Sequence, residues 1–190
     1  MKVDRKLNLV VPIERPEGVI YIHAAPISRE VYERHFLVMA KTHAAIFDQG
    51  LHFTTGPRVA ALMLRKYAEM LGVWDGPDGV QVGLMAEIRR LSNVIAPTGK
   101  GYGTLPLDVA VSQGQIDEDE VTEVESEIVF FTLECCLRKK AQLPIFLVPM
   151  HHLCGSSSTS LDATAFAASL KISTPAEPTG VKVKASSIAA

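Results

Sequence analysis

The segment from Ile116 to Lys140 constrains the fold of this chain most strongly. Asp117 opens it and Glu120 follows three residues later, which is the spacing of a reciprocal helix cap. Four consecutive carboxylates in this first turn suit the positive end of a helix dipole. Apolar side chains then recur on one face, at Val121, Val124, Ile128, Phe131 and Cys135. The pattern predicts an amphipathic helix from Asp117 whose apolar stripe lies in a core or an oligomer seam.

The N-terminal region has the signals of a β-hairpin. Leu7 to Ile13 and Val19 to Ile22 are rich in β-branched residues, and Pro16 and Gly18 between them favour a tight turn. Alternation places Leu7, Leu9, Val11 and Ile13 on one face, which we expect to cover the helices. An isolated hairpin is marginally stable in water, so it must pack on the rest of the chain or pair with another chain.

The rest of the chain is read mainly as helix. Helices are predicted over residues 28–49 with Ser28 as N-cap, from Pro57 to Gly72, and over Leu84 to Ile95. A short helix is predicted from Ser160 or Asp162 to Leu170, with Leu161, Ala165, Phe166 and Leu170 facing inward. The intervening segments 72–79, 98–103 and 141–159 contain Gly, Pro or Ser and are predicted to be irregular, with Trp74 packing on the core.

These elements predict a mainly α fold with an N-terminal β-hairpin. The domain organisation expected is a hairpin over residues 1–27, a compact helical domain over 28–172 and a flexible tail over 173–190. Residues 173–190 are predicted to be flexible because they offer few large apolar side chains that could pack on the core.

Composition excludes several classes of function. Nineteen Lys and Arg stand against 21 Asp and Glu, which leaves no positive surplus for a nucleic-acid partner. The longest apolar run, Leu143 to Leu153, contains two prolines and is too short to span a membrane. The N-terminus does not have the pattern of a signal peptide. The three cysteines are too few and too poorly spaced for a disulfide framework, so we expect a reducing compartment.

The best candidate for a metal site is the cluster His151, His152 and Cys154. Imidazole and thiolate are zinc ligands, and Cys136 could join them in space. A tetrahedral zinc site requires four ligands at recognisable spacing, however, and the sequence has no CxxC or HExxH motif to supply the others. We therefore assign no metal-ligating residue.

The other chemical motifs are also read as structural. Gly155-Ser156-Ser157 does not form a nucleophile elbow, and Lys100 lies in a glycine-rich stretch without the spacing of a phosphate loop. The acidic run that begins at Asp117 is read as a solvated helix cap rather than a catalytic carboxylate pair. His35 and His43 lie two turns apart on one helix and are not expected to touch. The sequence thus predicts no catalytic residue, no cofactor site and no enzyme activity, and its broad apolar faces favour protein binding.

Several passages carry a resemblance to a known family. They are KLNLVVPIERPEGVIYIHAAPISREVYERHFLVMAKTHAAIF, GPRVAALML, GLMAEIRRLSNVIAP, TLPLDVAV, IDEDEVTEVESEIVFFTL and SLDATAFAASL. Together they extend from Lys6 to about Leu170 and resemble tail proteins of long-tailed bacteriophages, commonly described as tail assembly chaperones.

The resemblance implies a largely helical protein that acts in the host cytoplasm during phage assembly. Members of the family coat the tape measure protein and recruit tail tube subunits, and no catalytic residue is carried over from them. The implied partners are the tape measure and tail tube proteins, with self-association also expected, and we expect the hairpin and the helix faces of residues 6–96 to form the binding surface. The alternative is a structural component of the virion, either a tail or a head-tail connector protein.

Overall fold

A computed structural model describes residues 7–170 of the chain. Within this range the fold is mixed, with 59% of residues helical, seven α-helices and a five-stranded antiparallel sheet. The predicted N-terminal hairpin is confirmed, but the prediction of a mainly α fold is wrong in its proportions because the hairpin is part of a larger sheet. The tail predicted over 173–190 lies outside the described residues.

The strands are β1 (Asn8–Arg15), β2 (Gly18–Ala24), β3 (Ser92–Thr98), β4 (Gly101–Pro106) and β5 (Ser157–Thr159). The α-helices are α1 (Arg29–Asp48), α2 (His52–Met70), α3 (Ala86–Arg90), α4 (Leu107–Ser112), α5 (Glu118–Leu137), α6 (Leu143–Cys154) and α7 (Ala163–Ser169). A π-helical turn over Gln81–Met85 leads into α3, and a 3-10 turn over Lys140–Gln142 leads into α6.

The sheet has the strand order β4-β3-β2-β1-β5, and all neighbours are antiparallel. The third helix was predicted to extend to Ile95, and this prediction is wrong. The helix ends at Arg90, and strand β3 begins at Ser92. The intervals between Leu84, Ile88, Leu91 and Ile95 fit a helix, but β2 offers an open edge on which Val94 pairs with Ile22. Cross-strand pairing therefore overrides the local period.

Strand β4 corrects the irregular segment predicted over residues 98–103. Gly101 has a φ of +139°, a conformation that favours glycine, and it lets the chain reverse directly into β4. Tyr102 then pairs with Pro97, and Leu105 with Val94.

The two faces of the sheet support different clusters. Leu9 and Val11 of β1 point into the main core, and Leu7 and Ile13 pack against it, as the alternation predicts. On the opposite face, the ring of Tyr21 of β2 packs edge-to-face against that of Phe166 of α7, with ring centroids 5.7 Å apart. The sheet is therefore covered on both faces, by the main helical layer and by α7.

Helix α5 is the centre of the helical layer. It is buried without interruption from Val124 to Cys136, where the sequence predicts an amphipathic stripe. Its N-terminal cap forms as predicted, because Asp117 accepts from the Glu120 backbone N–H at 2.8 Å and Glu120 accepts from that of Asp117 at 3.1 Å. The predicted burial of Val124, Ile128 and Phe131 is confirmed. A helix packed on all sides buries its second face as well.

Helix α6 and strand β5 replace a segment predicted to be irregular. Pro144 occupies the first turn of α6, where its missing N–H costs little, and Gly155 ends the helix in the left-handed conformation with a φ of +67°. Ser157 to Thr159 then pair with Val10 to Asn8 of β1. The end of the segment predicted to be irregular is thus an edge strand.

The remaining helices differ from prediction mainly at their ends. Ser28 caps α1 and Asp162 caps α7 as predicted. Helix α2 begins at His52, five residues before Pro57, and Trp74 packs on the core as expected. In α7 the buried residue is Ala167, whereas Ala165 is exposed, as is Leu161 two residues before the helix, so their predicted inward orientation is wrong. Across residues 7–170, no helix is both long and apolar enough to cross a membrane.

Candidate functional site

The histidines and cysteines weighed in the sequence do not assemble into a site. Across residues 7–170, no three His, Cys, Asp or Glu side chains are grouped so that they could hold a metal ion. Cys136 is buried in the core, and burial raises the pKa of its thiol to about 12. Burial likewise raises the pKa of Cys154 to about 11, helped by the charge of Glu127. Both thiols therefore keep their protons at neutral pH and are poor nucleophiles.

The serine and histidine candidates occupy structural positions. Gly155 ends α6, Ser156 is buried and Ser157 begins β5. His35 is buried beside Gly83 of the π-helical turn, and burial lowers its pKa. His43 lies on a different part of α1 and contacts Glu134 of α5, with its Nε2 3.1 Å from Oε1.

Glu134 is the centre of a buried charged cluster that joins three helices. Its side chain is only 1% exposed and forms an ion pair with Arg138 one turn later on the chain. The Arg138 guanidinium lies over the ring of Phe146 on α6, 3.3 Å from the centroid, and near Phe47 of α1 at 5.0 Å. The Glu134–Arg138 pair thus links α1, α5 and α6, and its closed arrangement is typical of a structural role.

A cleft lined by acidic side chains lies beside the N-terminal half of α5. Glu120, Glu123 and Glu127 are separated by three and four residues, which places them on one face of the helix. Two adjoining cavities of about 340 and 300 Å³ share Glu123, Glu127 and Cys154 as lining residues. We call this space the Glu127 cleft. Its other walls are the β1 residues Val11 to Glu14, the start of α2 at Thr54, Pro57 and Arg58, and Leu153 of α6.

Glu127 is the unusual residue of the cleft. It is only 8% exposed, and its Oε1 atom is buried without a hydrogen-bond partner. Burial raises its pKa to about 7, and the charge of Glu123 acts in the same direction. The Ser156 hydroxyl next to this carboxyl group acts in the opposite direction and favours the charged form, but burial outweighs it. At neutral pH the protein therefore holds a carboxyl group near its midpoint of ionisation.

Replacing Glu127 with Gln should stabilise the protein in a pH-dependent manner. In the unfolded chain the carboxyl group has a pKa of 4.5, and in the folded protein about 7. The wild type therefore loses stability as pH rises from 4.5 through 7, and Gln, which mimics the protonated form, removes that loss. We expect the free energy of unfolding of Glu127→Gln to exceed that of the wild type by about 3 kcal/mol at pH 8 and by little at pH 4.5.

Urea denaturation at the two pH values measures this difference. Glu118→Gln is the matched control, because Glu118 lies exposed in the first turn of the same helix. Equal stability of wild type and Glu127→Gln at pH 8 would show that Glu127 is ordinarily solvated.

Helix α6 also presents an apolar surface beside the sheet edge. Ile145 and Val148 are 69% and 65% exposed, although both are large aliphatic side chains. Next to them is a shallow groove of about 340 Å³, lined by Leu7, Leu143, Pro144, Leu147, Val148, His151 and Ser158. We call Ile145, Val148 and this lining the α6 groove. Exposed aliphatic side chains beside an apolar depression are typical of a protein-binding surface.

Comparisons with protein-family models, with curated proteins and with solved structures give no match to this chain.

Sequence reasoning missed both surfaces for identifiable reasons. The i, i+3, i+7 spacing of Glu120, Glu123 and Glu127 is visible in the sequence, but it reads as the solvated face of a capped helix. Only the approach of β1, α2 and α6 buries Glu127. The α6 groove was missed because two prolines argue against a helix over 143–154.

Proposed function

We propose that this chain is a non-enzymatic phage tail assembly chaperone, which binds the tape measure protein and recruits tail tube subunits in the host cytoplasm. The observation that carries the proposal is the α6 groove, in which Ile145 and Val148 remain exposed beside an apolar depression. The sequence resemblance from Lys6 to about Leu170 supports the assignment of the partner. Self-association is part of the proposal.

The groove suits an amphipathic helix as ligand. Such a helix inserts apolar side chains spaced by three and four residues into an apolar depression, and the α6 groove has a mostly apolar lining. Burying two large aliphatic side chains contributes roughly 1.5–3 kcal/mol each. A tape measure protein that presents repeated apolar helical faces could occupy many copies of this surface along its length.

The hairpin is a poorer binding surface than the sequence suggests. Strand β2 is covered by β3, and residues 8–10 of β1 are covered by β5. The remaining open part of β1 contains Pro12, which has no N–H to offer an added strand. We therefore propose a helical surface rather than the hairpin edge as the binding site.

Co-expression with the tape measure protein followed by pull-down tests the proposal. The double variant Ile145→Asp/Val148→Asp should lose at least about tenfold in captured tape measure protein, because two buried charges would stand in the apolar contact. Leu37→Asp is the matched control, since Leu37 is 60% exposed on α1, away from the α6 groove. We also expect removal of Thr174 to Ala190 to leave capture intact.

The possible results distinguish an error in the proposed binding surface from an error in the proposed function. Capture lost equally in the control would move the binding surface to α1, and no capture by the wild type would contradict the chaperone proposal. Mass spectrometry of purified particles addresses the alternative, because an assembly chaperone is absent from the virion whereas a tail or connector protein is present in it.

A further inference from the structure

We propose that two copies of this chain associate through β4, which pairs edge to edge with β4 of a second copy and joins the two sheets into one. The inference deepens the self-association that is part of the proposed function and rests on that function in this respect. It concerns the opposite edge of the sheet from β5, which borders the α6 groove.

The neighbouring strands determine where the backbone groups of β4 point. Ala25 donates its N–H to the C=O of Leu91 at 3.1 Å, and this bond continues the pairing of β2 with β3. Successive residues of a strand direct their N–H and C=O groups to opposite sides. Asn93 and Ile95 therefore bond to β2, and the even-numbered residues of β3 bond to β4.

The same alternation continues across β4. Gly103 and Leu105 lie opposite even-numbered residues of β3 and bond to them. The N–H and C=O groups of Tyr102 and Thr104, and the C=O of Pro106, consequently point away from the sheet. Within residues 7–170, β4 is the last strand on this side, and no backbone group of a turn or loop bonds to these atoms. Such an edge is a template for an added strand.

The free edge of β4 is complementary to itself. When a second copy runs antiparallel, with the two-fold axis beside Gly103, Tyr102 of each copy lies opposite Thr104 of the other. Each of these two pairs exchanges both of its backbone hydrogen bonds, which gives four bonds in all. A two-fold interface uses the same patch on both copies, and this register meets that condition.

The side chains of β4 suit this pairing. The ring of Tyr102 lies 6.0 Å from that of Tyr21, on the face of the sheet where α7 packs. Thr104, two residues further along the strand, shares that face. An aromatic side chain opposite a β-branched one stabilises a strand pair.

The two edges of the sheet differ in their protection against pairing. Natural edge strands avoid other chains by being short or by carrying charges or proline. Strand β5 has three residues. Strand β4 has six residues without a charged side chain, and its proline, Pro106, is the last of them. Lys100 in the preceding turn lies opposite Pro106 of the other copy in the proposed register, so like charges do not meet.

Amide hydrogen exchange, measured by NMR for each residue at increasing protein concentration, tests the proposal without a variant. We expect a weak dimer, with a Kd on the order of 100 μM, because a pair of short strands buries less surface than a standard interface. Exchange at Tyr102 and Thr104 should slow at least about threefold between about 20 μM and about 1 mM. Gly103 and Leu105, which bond to β3, should be protected throughout.

Sedimentation velocity with two proline variants provides the second readout. Thr104→Pro removes an outward N–H and leaves the bonds of Gly103 and Leu105 to β3 in place. Ser158→Pro is the matched control, because the same alternation points the Ser158 N–H away from β1 at the other edge. We expect Thr104→Pro to weaken dimerisation at least about tenfold and Ser158→Pro to leave it unchanged. Thermal unfolding of both variants checks that they fold.

Three results would overturn the proposal. They are a monomer at about 1 mM, protection of Tyr102 and Thr104 that does not change with concentration, and a dimer that is lost in Ser158→Pro but not in Thr104→Pro. The second result would assign the edge to a segment of the same chain, and the third would move the interface to β5. Each is obtained with this protein alone, so it leaves the capture of the tape measure protein by the α6 groove to its own experiment.

Discussion

Phe131→Ala should lower the free energy of unfolding by about 3–5 kcal/mol, which is a large fraction of the stability of a domain this size. Phe131 is 2% exposed and belongs to the main core, on a helix that is buried on every side from Val124 to Cys136. Truncation removes the transfer free energy of the ring and leaves a cavity that a central helix cannot easily close.

Chemical denaturation followed by circular dichroism measures the loss. Leu37→Ala is the control, because this side chain is 60% exposed and its truncation should change stability by less than about 0.5 kcal/mol. An unchanged midpoint for Phe131→Ala would mean that α5 is not the centre of the core.

Arg138→Met should destabilise the protein by about 3 kcal/mol, because it removes one partner of a buried ion pair. Methionine keeps much of the packing of the arginine stem but leaves the Glu134 carboxylate, 1% exposed, with His43 as its one remaining polar contact among the described residues. The loss of the guanidinium over the Phe146 ring adds a smaller contribution.

A double-mutant cycle separates these contributions. Adding Glu134→Gln to Arg138→Met should restore a large part of the lost stability, since the uncompensated buried charge is then removed. The control Arg34→Met breaks an exposed pair with Glu30 on α1 and should cost less than about 1 kcal/mol. Equal losses for Arg138→Met and Arg34→Met would contradict the structural role assigned to the Glu134–Arg138 pair.

The sequence by itself determined the elements whose signals are local. The capping pair Asp117 and Glu120, the N-caps Ser28 and Asp162, and the hairpin turn all form as their residue types dictate. These interactions join residues at most a few positions apart, so their geometry is contained in the spacing. The alternation of Leu7, Leu9, Val11 and Ile13 likewise fixed which face of the hairpin meets the core.

The tertiary structure decided the elements that depend on distant partners. Ser157 to Thr159 have no strand signal, and they become β5 because β1 offers an unpaired edge. Ser92 to Thr98 follow a helical spacing into Ile95 but become β3 because β2 offers the other edge. An edge is a property of the assembled sheet, and the period of a short apolar segment cannot reveal it.

The candidate surfaces also depend on the tertiary structure. The spacing of Glu120, Glu123 and Glu127 placed three carboxylates on one helical face, but a carboxylate on a solvated helix has an ordinary pKa. Only the packing of β1, α2 and α6 against that face withdraws water from Glu127 and raises its pKa to about 7. Desolvation depends on which segments of the folded chain approach a residue, and that information is absent from local sequence.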